Sequence, residues 1–528
     1  MPLPDLIEIV PLEKPVHAEI TVPGSKSITN RALILAALAE GEVMLEGALW
    51  SEDTQIMVEC LQELGFMVEV RPDPNEDCNR TITVYGKGGQ IPPGGTESQP
   101  MELFVGNAGT AARFLAAFVC LGRGVYRLHG VPRMHERPQA ALFKALRELG
   151  YRVEAEQGNE RLPVRIWGAE TERGSASRSN VPDASAGISE SGGVSDVAAG
   201  HRPAPPSRRS CEVSIEQSSQ FASALLLCAA VGNWDIKVVG ENAEESPYVS
   251  MTSKLIEAFP HRGGRFQIEP DASSGSYFWG ADWLLPNPIL ARSDSDDERI
   301  QSILASVAKA GESRSQLEET LQSASPYFRW WQRMPEVIGS FDAVAGEWLK
   351  DFREAHSLVV VSHWPQSKWQ IDSEFPNLCQ GQMEVSRKRD LGDSIMTAIV
   401  MAPFEQFSVA FTDLGRLRVQ ECERVVALRT ELTKCGAKVI EEGDTLTVYP
   451  SQLHGAEIET YNDHRMAMCF AILGLKVPGI KIRNPACVKK TFPNFFQKLA
   501  GLPPKGLGAR ILDAKTGREL SGAELFAD

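Results

Sequence analysis

Lys26, Ser27 and Arg31 follow Pro23 and Gly24 within two helical turns in PGSKSITNRALILAALAEG. Lys26 and Ser27 are placed to donate to an anion at a helix start, where free N–H groups and partial positive charge already favour one. A solvated helix start with a capping serine fits the spacing equally well. A nucleotide P-loop does not, because only one glycine precedes the lysine. GNAGTAAR offers Asn107, Gly109, Thr110 and Arg113, with glycines that let an anion approach backbone but are wrongly spaced for a dinucleotide. HGVPRMHERP holds Arg133 and Arg137 in a proline-bounded loop before a helix. QSSQ supplies Ser218, Ser219 and Gln220, neutral donors suited to hydroxyls, to a phosphate or to a helix cap. Asp393, in RDLGDSIM, is an acid at a helix start, read either as a cap or as a general base. The last third adds Glu421 and Arg424, then Asp463, His464 and Arg465, then Lys489 and Lys490. Each alone is ordinary. Together they suit small polyanionic substrates and acid–base chemistry, with cations rather than a metal neutralising charge and no cofactor implied.

These residues recur in one setting. Six times a strand-like run meets a knot of Gly, Ser, Asn or Asp and then an apolar helix, beginning near Thr21, Leu103, Val213, Ile268, Arg389 and Ile458. After most knots an amphipathic helix ends in glycine, as at Gly65, Gly150 and Gly436, and leads into a strand. The alternation predicts an α/β fold, and six similar units predict two halves of three with helix starts facing a shared cleft. Gly168–Ser210, rich in small and polar residues, reads as a disordered insertion. The stretch from about 312 to 382, with PYFRWWQRM and FDAVAGEWLKDF, reads as a helical insertion. From about Pro503 the chain reads as a polar tail.

With 528 residues, 43% of them hydrophobic and 23% charged, the chain is long enough for two sizeable domains. A net charge of -15 argues against a general nucleic-acid binder. The ten cysteines show no zinc spacing, the first residues lack a signal-peptide layout, and no apolar run is long enough to span a bilayer. The expectation is a cytoplasmic monomer with reduced thiols, acting on small anions and not on nucleic acid or membrane.

Taken in order, PGSKSITNRA, GNAGTAAR, PRMHERP, SSQF, DASSGSYF, YNDHRMAM and KKTFPNFF resemble the enolpyruvyl transferase family over nearly the whole chain. Within it they resemble the branch that acts on shikimate 3-phosphate. The resemblance implies two domains, each of three βαβαββ repeats with helix N-termini facing an interdomain cleft. The second lobe would span 22–267, and the first would join 1–21 to 268–528. It implies transfer of the enolpyruvyl group of phosphoenolpyruvate to the 5-hydroxyl of shikimate 3-phosphate, with phosphate released, in the shikimate pathway of aromatic amino-acid biosynthesis. Lys26, Ser27, Arg31, Ser218, Ser219, Gln220, Tyr248, Asp393 and Gln420 would meet shikimate 3-phosphate. Lys26, Asn107, Gly109, Arg133, Gln220, Arg424, His464, Arg465 and Lys490 would meet phosphoenolpyruvate. Asp393 would accept the proton, with Lys26 and Glu421 as partners in proton transfer. The chain departs from the family pattern at Arg416 and Gln420, where Asn and Lys are usual, at Glu245 in place of Ser, and at Phe114 in place of Pro. A UDP-N-acetylglucosamine enolpyruvyl transferase and a non-catalytic scaffold are the competing readings.

Overall fold

A computed structural model of the protein describes residues 3–169, 208–240, 246–285, 357–378 and 381–527. Each of the six knots joins a strand to a helix. The helices that follow them are Lys26–Leu38, Gly109–Phe118, Gln220–Gly232, Ala272–Leu284, Ile395–Met401 and His464–Gly474. Apolar on most faces, they lie inside the molecule, and every residue of His464–Gly474 is buried. The amphipathic helices Glu52–Glu63, Ala140–Glu148 and Arg424–Lys434 cover them from outside. These end as the glycines imply, with Gly65, Gly150 and Gly436 at φ of 84°, 89° and 94°.

The sheets share one plan, a parallel pair extended by antiparallel strands. Met101–Phe104 runs parallel to Val125–His129, which pairs antiparallel with Val164–Trp167, and that strand with Arg152–Ala155. Glu384–Ser386, Val409–Thr412, Thr445–Val448 and Val439–Glu442 repeat the order. So do Gly264–Gln267, Glu40–Leu49, Asn79–Lys87 and Val68–Pro72. In the fourth such sheet Glu457–Ile458 and Ile480–Arg483 form the parallel pair, and Leu6–Ile9 lies antiparallel between Ile480–Arg483 and Ile511–Asp513. Two parallel pairs complete the described residues, Arg209–Ser214 with Trp234–Val239 and His17–Ile20 with Leu358–Val361.

Buried apolar side chains fall into two clusters, which makes the molecule two-lobed. One cluster draws on residues from Ile28 to Ile268. The other joins Leu3–Val22 to side chains from Ala272 onward. The chain crosses between lobes twice, and the crossings hold each other: Ser25 N–H donates to Glu269 O, and Asp271 N–H to Pro23 O, both at 2.8 Å. Beside them buried Glu76 accepts from Thr21 Oγ1 (2.6 Å), Asn494 Nδ2 (2.6 Å) and Lys498 Nζ (2.7 Å). Each crossing feeds a helix start, Lys26 and Ala272, toward the same gap.

Three expectations change. Most of the proposed insertion at 168–210 lies outside the described residues, but its edges are structured: Ala169 N–H donates to Cys120 O, and Arg209–Ser214 is a strand. Of the proposed helical insertion, 312–356 and 379–380 lie outside the described residues. Residues 357–378 are not helical throughout, because Leu358–Val361 adds a strand to the first lobe and only Ile371–Leu378 turns helically. The tail after Pro503 is not loose. Ile511–Asp513 pairs with Leu6–Ile9, and Leu520 and Leu525 are buried in the first-lobe core. No helix among the described residues is long and apolar enough to cross a membrane.

Candidate active site

All six knot helices open onto one cleft between the lobes. Its walls include Lys26, Gly109, Gln220, Ser273, Asp393 and Arg465, one residue from each helix start or the turn before it. The cleft encloses about 1260 Å³, part of it open to solvent. Among the described residues, eight cationic side chains line it (Lys26, Arg31, Arg113, Arg137, Arg387, Arg416, Arg424 and Arg465) against five carboxylates (Asp53, Asp271, Asp372, Asp393 and Glu421). An excess of fixed cations in a partly desolvated cleft favours anions. No cluster of three or more His, Cys, Asp or Glu suited to a metal occurs among the described residues.

On the second-lobe wall, Arg31 is held by Thr252 Oγ1 at 2.8 Å, Ser223 Oγ at 3.0 Å and Ser27 O at 2.8 Å. Burial lowers its pKa to about 10. Lys26 Nζ contacts Asp53 Oδ2 at 3.0 Å. Gln220 bridges two knots, donating to Thr110 Oγ1 at 3.1 Å and accepting from Arg113 Nη1 at 2.5 Å. Ser218, Ser219 and Tyr248 complete this wall. Although Ser219 occupies the helix N-cap position, its hydroxyl makes no cap bond and instead accepts from Arg416 Nη1 at 3.2 Å across the cleft.

Asp393 does not cap its helix, which starts at Ile395 with Ser394 as the cap residue. Its carboxylate is held by cations: Arg387 Nη2 at 2.8 Å, Arg465 Nη2 at 3.2 Å and Arg424 Nη1 at 3.9 Å. Burial opposes its charge, but Arg465, Arg387 and Arg424 outweigh burial and hold the carboxyl well below the usual range. Asp372 anchors the loop below, accepting from Gly392 N–H at 2.8 Å and Ser394 N–H at 3.0 Å.

A second charged group lies deeper. Arg424, 1% exposed, donates to Asp463 Oδ2 at 2.7 Å and to Glu421 Oε2 at 2.9 Å. Glu421 also accepts from Lys490 Nζ at 3.0 Å. Burial raises the Glu421 pKa, but Lys490, Arg424 and Arg137 drive it well below normal. His464 is buried beside Arg465 and Lys26, and burial with those charges pushes its pKa down, leaving a neutral ring.

The expected site residues divide accordingly. Lys26, Ser27, Arg31, Gly109, Ser218, Ser219, Gln220, Tyr248, Asp393, Gln420, Glu421, Arg424, His464 and Arg465 line the cleft. Asn107, Arg133 and Lys490 do not. Lys490 stands behind Glu421. Asn107 presents its backbone O to Arg137 Nη1 at 3.2 Å. Arg133 pairs with Glu136 at 2.5 Å and donates to Gln420 O of the opposite lobe at 3.4 Å without lining the cleft, whereas Arg137, four residues on, lines it. Arg416 and Gln420 do not share a helical face: Leu414–Val419 is a 3₁₀ turn, Arg416 reaches Ser219, and Gln420 Oε1 accepts from Arg424. Glu245 lies outside the described residues. Asp53, Arg387 and Asp372 were not anticipated. Asp53 reads as the first-turn acid of an amphipathic helix, and Arg387 as one charge of a solvated RKR run.

A family model described as EPSP synthase (3-phosphoshikimate 1-carboxyvinyltransferase) matches residues 10–191 and 369–499. A 3-phosphoshikimate 1-carboxyvinyltransferase of Trichormus variabilis is 33% identical over 514 residues, covering 94% of this chain and 98% of that protein. One of Opitutus terrae is 33% identical over 541 residues, covering 96% and 100%. Among solved structures, an EPSP synthase of Acinetobacter baumannii superposes with a TM-score of 0.56 at 18% identity, covering 96% of this chain and 99% of that one. The enolpyruvyl transferase NikO of Streptomyces tendae gives 0.52 at 14% identity, covering 98% and 99%.

Proposed function

The chain belongs to the EPSP synthase family, and from that membership we propose how its cleft performs the family's enolpyruvyl transfer. The enzyme acts as a 3-phosphoshikimate 1-carboxyvinyltransferase. The 5-hydroxyl of shikimate 3-phosphate adds to C2 of phosphoenolpyruvate as C3 gains a proton. Phosphate then leaves the tetrahedral intermediate as a proton returns from C3. Asp393 is the acceptor of the hydroxyl proton, and Lys26 and Glu421 serve proton transfer at C3. Shikimate 3-phosphate takes the wall of Ser27, Arg31, Ser218, Ser219 and Tyr248. Phosphoenolpyruvate takes the side of Arg137, Arg424 and Arg465 near Gly109, with Lys26 and Gln220 between the two. The carrying observation is a single cleft where cations outnumber carboxylates, holding Lys26, Asp393 and Glu421 together. Fixed guanidiniums both orient two anions and offset their repulsion.

Release of inorganic phosphate on mixing the purified protein with both substrates tests the reading. No release with shikimate 3-phosphate, but release with UDP-N-acetylglucosamine, would transfer the assignment to the other acceptor. Release with neither would leave a scaffold.

Gly109 gives a sharper expectation. A Cβ there would lie 2.8 Å from the Arg137 guanidinium. Gly109→Ala therefore displaces that cation, raising the phosphoenolpyruvate KM by about tenfold, the size of one charge-assisted hydrogen bond. It also relieves the glyphosate inhibition, competitive with phosphoenolpyruvate, that we expect of the wild-type enzyme. Initial rates across both substrates read this out. An equal rise in both KM values would count against the placement.

Arg416 supplies the cation missing at Gln420. Arg416→Asn is expected to weaken shikimate 3-phosphate binding about tenfold or more, the worth of a charged hydrogen bond. Gln420→Lys restores it only partly, because Gln420 already serves Arg424. Calorimetric titration of the variants checks this. An unchanged dissociation constant in Arg416→Asn would remove Arg416 from the acceptor wall.

A further inference from the structure

Arg387 has no role in the proposed reaction, yet it is among the best-placed cations in the cleft. Its side chain is 6% exposed and lines the cavity. Nη2 holds Asp393 Oδ1 at 2.8 Å, while Nε is buried without a hydrogen-bond partner among the described residues. A buried guanidinium donor left unpaired costs free energy unless a ligand completes it. Arg416 is the neighbouring cation. Its pKa is lowered to about 10 by burial and then by the repulsion of Arg387, so the two guanidiniums feel each other's charge. Around Arg387 the charged groups are Asp393 on its own loop, Arg416 from the 3₁₀ turn, and Arg465 and Arg424, which share Asp393. Arg424 is further paired with Asp463 and Glu421, and the remaining cations, Arg387, Arg416 and Arg465 around Asp393, have charge left for a dianion.

We propose that Arg387 is an acceptor-binding residue: the phosphate of shikimate 3-phosphate, taken between Arg387 and Arg416, draws the Arg387 guanidinium off Asp393 and frees Oδ1 for the acceptor hydroxyl. The inference rests on the reaction proposed above. It makes acceptor binding the event that unties the base. No bond is made or broken beyond the exchange of one hydrogen-bonded ion pair for another. The acceptor phosphate is favoured over its carboxylate because Arg416 already reaches Ser219, whereas Arg31 stands apart among Thr252 and Ser223.

The test is direct binding, without turnover, of shikimate 3-phosphate and of shikimate to wild type, Arg387→Ala and Arg387→Lys, with circular dichroism to establish folding. Arg387→Ala is expected to weaken shikimate 3-phosphate by about ten- to a hundredfold while shikimate changes less than threefold, and Arg387→Lys to recover part of the loss. An unchanged shikimate 3-phosphate constant in a folded Arg387→Ala protein would make Arg387 a tether for Asp393 alone. Equal losses for both ligands would overturn the phosphate assignment. If wild type binds neither ligand, the proposed reaction itself fails. Titration with inorganic phosphate then still reads Arg387, and equal affinity of wild type and Arg387→Ala sinks the inference.

Discussion

Replacing Asp393 with Asn is expected to lower kcat by about 10²–10⁴-fold, the usual worth of a general base, while shikimate 3-phosphate still binds within about tenfold of wild type. Asn keeps one oxygen to accept from Arg387 or Arg465, so the loop remains in place. What it loses is a site for the hydroxyl proton. In the unliganded protein that site is a weak base, because Arg465, Arg387 and Arg424 together outweigh burial and hold its pKa far down. Anions arriving on the same guanidiniums offset their charge and raise the basicity of Asp393 when it is needed. The depressed pKa also has a stability consequence. A carboxyl more acidic when folded contributes stability above its unfolded value of about 3.9, and loses it as pH falls through the folded pKa. Denaturant titrations below about pH 4 should therefore show less acid-labile stability in Asp393→Asn than in wild type. Rapid-quench and steady-state kinetics decide the catalytic claim. Near-normal turnover by the variant would place the base elsewhere.

The largest expected loss of stability is that of Asp463→Ala. Asp463 is fully buried, accepts from Arg424 Nε at 2.7 Å and Nη2 at 3.2 Å, and caps His464–Gly474 through Arg465 N–H at 2.9 Å. Alanine leaves a buried guanidinium short of its partner, a change that costs about 3–5 kcal/mol, and removing the cap costs about 1 kcal/mol more. Part of this is offset because Glu421 still holds Arg424. Urea unfolding should show a midpoint lowered by that free energy divided by the slope, with the slope itself unchanged. A change under 1 kcal/mol would mean that Glu421 and Asp393 suffice for Arg424.

The six helix starts were legible in the sequence because the cause is local. A knot of Gly, Ser, Asn or Asp followed by an apolar run fixes where a helix begins, and Gly65, Gly150 and Gly436 fix where others end. Most of the cleft residues follow, since they sit at those starts. Side-chain partners were less legible, because they are set by packing between distant segments. Nothing around Asp53 foretells Lys26, and PRMHERP offers Arg133 and Arg137 without saying which lines the cleft. The 3₁₀ geometry of Leu414–Val419, rather than the composition, separates Arg416 from Gln420. Short strands such as Ile511–Asp513 carry almost no local signal, since three residues gain their stability from a partner near the opposite end of the chain.

That last pairing governs how the protein is made. Leu6–Ile9, which precedes the whole second-lobe segment, takes its place between Ile480–Arg483 and Ile511–Asp513, which follow it. The lobe built from Ile28 to Ile268 is one continuous stretch and can complete its core while the remainder is still being translated. The other lobe cannot. Until Ile480–Arg483 and Ile511–Asp513 have been made, Leu6–Ile9 is an edge with open hydrogen-bonding groups, a template for pairing with neighbouring chains. The paired crossings at 21–25 and 268–271 tie together the two ends of the continuous lobe, so the early strand waits beside the point from which its partners follow. The interval between synthesis of the early strand and of its partners, not the chemistry of the cleft, is then when this chain is most exposed to aggregation.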